Sequence, residues 1–76
     1  MREMMFKMER EGLLNEGDEV SVTEGLLPRC CYYTIDPSLA MSGNIPFGER
    51  LTNLKGKVLS ITQSPRGFYV TVGFDE

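Results

Sequence analysis

Apolar and polar positions alternate most regularly in the last third of the chain. In Phe68 to Phe74 (FYVTVGF), Phe68, Val70, Val72 and Phe74 share one parity, and Tyr69, Thr71 and Gly73 share the other. Successive side chains of a strand point to opposite faces, so the first set is expected to face a core and the second to face water. Lys57 to Thr62 (KVLSIT) is likewise rich in β-branched residues, which suit a pleated, half-buried surface. Between these runs Ser64-Pro65-Arg66-Gly67 reads as a turn, because proline presets φ and glycine supplies a positive φ. Leu54 to Glu76 is therefore predicted to be one β-hairpin. Gly56 is placed to permit a bulge or sharp bend as the chain joins a small barrel.

Earlier in the chain the pattern changes. Met1, Met4, Met5 and Met8 recur at helical spacing with charges between them, and Gly12 stands beyond them as a natural stop. Residues 1–12 are read as a short amphipathic helix or leader. So short a helix needs a surface to dock on. It serves as a lid on the open end of a barrel or as a Met-rich stripe for a partner. Asn15-Glu16-Gly17-Asp18 is a turn cluster, and Glu19 to Thr23 is a strand with Val20 and Val22 inward. Gly25 and Pro28 are expected to break that strand. Residues 24–53 then form a long excursion, expected to be folded because structureless loops of that length are uncommon in compact domains. Within it Cys30 to Ile35 has strand composition, Asp36-Pro37-Ser38 turns the chain, and Leu39-Ala40-Met41 suits a helical turn. Ser42-Gly43-Asn44, Pro46 and Gly48 interrupt the remainder of the excursion. The expectation is an all-β fold: one domain over 1–76, with a small antiparallel barrel over 16–76.

The skeleton GDEVSV (17–22), LKGKVLSI (54–61) and FYVTVGFD (68–75) resembles the Src-homology-3-like small barrels of bacteria, their KOW-type members in particular. In that family a Gly-Asp pair opens the first strand, as Gly17-Asp18 would, and a glycine opens a later one, as in Gly56-Lys57-Val58. An acidic residue such as Asp75 comes after the closing strand. The likeness covers residues 16–23 and 54–75, and the 24–53 excursion is longer than the usual KOW loop. It implies binding to nucleic acid, to ribosomal or transcription machinery, or to protein partners; fold alone does not choose among these.

Charge and composition narrow the chemistry. The chain has 76 residues and a net charge of −3. Residues 1–24 hold three basic and seven acidic groups, whereas residues 25–74 hold five basic and two acidic ones. No apolar run approaches the roughly 18 residues of a membrane-spanning helix. No signal peptide is evident, and a cytoplasmic location is the default expectation. There is no histidine, so the most common general base is missing. Glycine-rich phosphate loops are absent as well. Cys30 and Cys31 are neighbours whose side chains fall on opposite faces of a strand. Two thiols alone cannot complete a tetrahedral zinc site, and reduced thiols are the expectation. No enzyme activity, cofactor, metal site or catalytic residue is expected.

Two binding roles remain. The first is a protein-interaction or adaptor module, monomeric or weakly dimeric, anchored by exposed aromatics. Tyr32, Tyr33, Tyr69 and Phe47 are its candidates, with Phe47 and one of Tyr32 and Tyr33 expected in the core. The alternative is single-stranded DNA or RNA binding. There Lys55, Lys57 and Arg66, with Arg29 and Arg50, would line one groove beside stacking tyrosines. A pI of about 4.9 favours the protein partner, since nucleic-acid binders usually carry a basic footprint.

Overall fold

The computed structural model describes residues 1–8, 10, 12–36 and 39–76. Seven strands run through it: β1 (Arg2–Met8), β2 (Glu19–Leu26), β3 (Cys30–Ile35), β4 (Ala40–Ser42), β5 (Ile45–Pro46), β6 (Lys55–Ser64) and β7 (Gly67–Phe74). A 3-10 turn, Phe47–Glu49, comes directly after β5. Every pairing is antiparallel. The sheet runs β2-β6-β7-β1-β4-β3-β5 and closes where β2 also pairs with β3. The chain is thus a closed, six-stranded antiparallel barrel, with β5 attached outside the ring to Cys30 and Cys31 of β3.

The hairpin expected over residues 54–76 is present as β6 and β7, with Ser64 opposite Gly67 across the Pro65-Arg66 turn. Val70, Val72 and Phe74 are buried as their parity requires. The register shift lies between Val58 and Ser60, which makes Leu59 the bulge instead of Gly56. Gly56 serves close approach: a Cβ there would stand 2.7 Å from Val72 Cγ1 and 2.8 Å from the Gly73 carbonyl oxygen.

The first residues depart most from the expected pattern. Among the described residues there is no α-helix, and residues 2–8 form a strand of the barrel wall. β1 lies between β7 and β4, with Phe6 opposite Val70 on one side and Ser42 on the other. Two ladders satisfy its backbone, whereas a lone helix of that length is marginal. Phe6 settles the period. It is fully buried, its ring centroid 6.3 Å from that of Phe74, and Met4 and Met8 are buried on the same parity. Glu3, Met5 and Lys7 face out. Gly12 occupies positive φ in the loop after β1 rather than ending a helix.

The 24–53 excursion supplies three strands where one was expected. β2 continues through Gly25 to Leu26, opposite Tyr32 and Cys31, so neither Gly25 nor Pro28 ends it early. The helical turn expected at Leu39-Ala40-Met41 is corrected to strand β4, where Ala40 faces inward and pairs with both Met8 and Ile35. Of the turn expected at 36–38, Pro37 and Ser38 lie outside the described residues.

If β1 is a wall strand, truncating its inward side chain must cost far more than truncating its outward one. Phe6→Ala is expected to lose about 3–5 kcal/mol of stability in urea unfolding, and Met5→Ala less than about 0.5 kcal/mol. Equal losses would fit a leader rather than a strand.

Candidate functional site

Closing the barrel brings β7, β1 and β4 side by side, and their outward residues form one surface. Tyr69, Lys7 and Met41 are paired in register across the three strands. Met5 lies two residues along β1, and Leu39 precedes β4. These residues border a groove of about 620 Å³, floored by Phe6 and Ala40 and ended by Ser42 and Gly43. Met5 is 58 % exposed and Met41 52 % exposed, while Tyr69 is half-buried. Among the described residues Lys7 is the one charged residue of the lining. The groove's surface is mostly apolar, with a methionine on either side of the β1–β4 seam. Methionine is flexible and polarizable, and suits contacts with varied shapes.

A second feature lies at one end of the barrel, where the segment after the 3-10 turn is strapped across the opening. Glu24 accepts hydrogen bonds from Arg50 Nη2 at 2.6 Å, Arg50 Nε at 3.2 Å and the Tyr33 hydroxyl at 2.7 Å. The Leu51 amide in turn donates to the Tyr33 hydroxyl at 2.8 Å. Burial first, and then donation to Glu24, push the Tyr33 phenol up to about 12. The Arg50 guanidinium, with help from Tyr33, holds the Glu24 carboxyl below its usual value. Glu76 closes the same strap from the other side. It accepts from the Thr52 hydroxyl at 2.7 Å and from the Thr52 and Asn53 amides at 2.8 and 2.9 Å, while Arg2 pairs with it at 3.2 Å. Arg2 also donates to the Glu49 and Arg50 carbonyls. Leu51 is buried beneath. These groups are fully engaged with one another, so the cluster is a clasp and offers no open site.

The residues singled out from the sequence separate under this geometry. Tyr69 lines the groove. Tyr33 is fully buried, which corrects its place among the surface anchors: it is the core tyrosine of the pair. Tyr32 lies outside, over Gly25, where a Cβ would collide with its ring. Phe47, expected in the core, is 42 % exposed at the start of the 3-10 turn. Lys55 and Lys57 project from the start of β6, opposite Ser21 and Glu19. Arg66 sits in the turn beyond the other end of that strand, roughly 30 Å away for ten extended residues. Arg29 is exposed in the β2–β3 turn, and Arg50 is committed to Glu24. The five basic groups do not share one face. Cys31 is buried with its Sγ 3.5 Å from the Ile45 carbonyl, and Cys30 is half-buried and likewise unpaired.

Met5, Lys7, Leu39 and Met41 join the site only through the fold. The alternation of Met4, Phe6 and Met8 with Glu3, Met5 and Lys7 is the one sequence signal that could have pointed to two of them. Among the described residues no group of histidine, cysteine and acidic side chains could hold a metal, and no helix is long and apolar enough to cross a membrane. Comparison of the chain with protein families, curated proteins and solved structures finds no match.

The clasp generates a pH dependence. Glu76 falls from an ordinary 4.5 to about 2 in the folded chain, chiefly through the Thr52 hydroxyl and then the Asn53 and Thr52 amides. Its contribution to stability is complete above about pH 4.5 and is lost as pH falls toward 2. Glu24 works in the same direction. Thermal melts between pH 2 and 6 should show a falling Tm in acid, and Glu76→Gln should flatten that fall. An unchanged slope in the variant would rule out the Glu76 clasp as its source.

Proposed function

We propose that the chain is a non-enzymatic protein-interaction module, a small Src-homology-3-like barrel that docks a partner protein on the outer face of β7, β1 and β4. The observation that carries this reading is the exposed apolar groove bordered by Met5, Leu39, Met41 and Tyr69. A mostly apolar groove with a few polar groups is the default candidate for a binding site. An aromatic side chain rooted in a sheet loses little conformational freedom on binding, which suits Tyr69 to an anchor role. The six-stranded closure and the GDEVSV and LKGKVLSI segments support the Src-homology-3-like assignment, and the KOW likeness rests on the same residues. Reduced Cys30 and Cys31 fit a cytoplasmic setting. The nucleic-acid alternative receives less support, because a phosphate-tracking groove needs its cations on one side and these are spread around the barrel.

A photoreactive amino acid placed at Met41, and in a parallel variant at Lys55, tests the assignment in cells. Discrete protein adducts are expected at Met41, weakened about tenfold by Tyr69→Ala if Tyr69 is an anchor worth roughly 1.4 kcal/mol. Adducts to nucleic acid, or protein adducts at Lys55 and none at Met41, would overturn it.

A further inference from the structure

The groove holds a cation among its apolar residues. Along the outer face of β1 the order is Glu3, Met5, Lys7, and only Met5 and Lys7 line the groove. Lys7 stands in the middle of the lining, between Tyr69 and Met41, with Met5 before it along β1 and Leu39 beyond Met41 on β4. Lys7 leans toward the β6–β7 turn: a Cβ on Gly67 would lie 3.4 Å from Lys7 Cε. The residue before Gly67 is Arg66, exposed in that turn. Among the described residues neither Lys7 nor Arg66 belongs to an ion pair; the two ion pairs are Arg2–Glu76 and Arg50–Glu24, both in the clasp. In a chain of net charge −3, an apolar groove that holds one such cation and has a second beside it differs in sign from the chain as a whole. Tyr69 pairs with Lys7 on one side and with Thr62 on the other.

We infer that the groove takes a peptide segment of the partner protein in which a large apolar side chain is followed within a few residues by an aspartate or glutamate. This deepens the interaction-module reading and rests on it. The apolar side chain packs between Met5, Met41 and Leu39 against Tyr69, and the carboxylate meets Lys7 and Arg66. Most of the affinity comes from apolar contact, because the groove is the part removed from water. The carboxylate selects the partner and orients it, since exposed ion pairs add little free energy each while like charges are repelled. The rest of the acidic surface turns away acidic chains that lack the apolar residue. Basic peptides gain nothing beside these cations.

A random peptide library displayed on phage, selected on the intact chain and on the double variant Lys7→Glu/Arg66→Glu, tests the inference directly. Both substituted residues are exposed, so the barrel should be retained, and amide spectra check that it is. Peptides selected on the natural chain should pair leucine, isoleucine, phenylalanine or methionine with a nearby acidic residue. One of them, synthesised and titrated into labelled protein, should shift the amides of residues 5–7, 40–42 and 69. Its affinity should fall about tenfold in the double variant, the sum expected for two exposed pairs, and should fall with added salt. The double variant should select basic residues in place of acidic ones. Peptides that shift the same amides but show no acidic preference and equal affinity for both proteins would overturn this inference and leave the interaction module standing. If no selected peptide shifts those amides, both readings fail. Concentration-dependent shifts at the same residues without peptide would identify a second copy of the chain as the occupant and overturn the inference too.

Discussion

A single small sheet with one apolar face must cover that face without a second layer, and the rest of the structure depends on this constraint. The solution here is closure. β2 divides its length, Glu19–Ser21 pairing with β6 and Val22–Leu26 with β3, and so joins the two halves of the sheet. β1 completes the wall on the opposite side, between β7 and β4. Without β1, β7 and β4 would be left with unpaired edges and Phe74 would lose the ring packed against it. The strand at the very start of the chain is thus as central to the core as the hairpin at its end. That arrangement places long-range pairing at the heart of the fold, because Arg2 lies opposite Phe74. Non-local pairing of this kind is slow to form, since loop-closure entropy is lost before the contacts are gained.

Closure also decides what is left on the outside. A ring of strands buries one parity of each strand, and the other parity must meet water or a partner. On most of this barrel the outer positions are polar or small. On β1 and β4 they include Met5 and Met41, and the pairing of Lys7 with both Tyr69 and Met41 brings those residues into one row. The ends of the barrel need a different remedy, because strands cannot cover them. At one end the strap through Leu51 does so, held by Glu24 and Glu76. Each carboxylate there has cation and hydroxyl partners, and both are held below their usual pKa by them.

How much of this could be read in the sequence varied with how uniquely each segment declared its period. Phe68 to Phe74 alternates without ambiguity, and a proline-glycine turn precedes it, so β6 and β7 were legible. Glu19–Thr23 was legible from its alternation, and Cys30–Ile35 from its strand-like composition. Residues 1–8 contain four methionines whose spacing fits a helical stripe, and their size and flexibility let them serve either geometry; only Phe6 distinguishes the two. β4 has three residues, too few to carry any period, and its identity comes from neighbours on both sides. The Leu59 bulge changes the inward parity from Val58 to Ile61, which no local residue announces. Tyr33 was legible in principle. It shares parity with Ile35, whereas Tyr32 shares parity with Thr34, so polarity alone assigns Tyr33 to the core. The groove was not, because its lining comes from three separate strands, one with a helix-like pattern and one too short to show any.

Charge gave a misleading impression for a related reason. Counted along the chain, residues 25–74 carry more basic than acidic groups and suggest a basic face. Folding disperses them: Arg50 is consumed by Glu24, Lys57 stands opposite Glu19, and Arg29 and Arg66 occupy different turns. The acidic first third meanwhile contributes Lys7, which closure brings beside the β6–β7 turn. Net charge and its linear distribution govern solubility and encounter, but recognition depends on which few charges share a surface with something apolar. On this barrel that juxtaposition occurs where β1 meets β7. The strand that closes the wall is therefore also the one that sets a cation among the apolar residues of its outer surface.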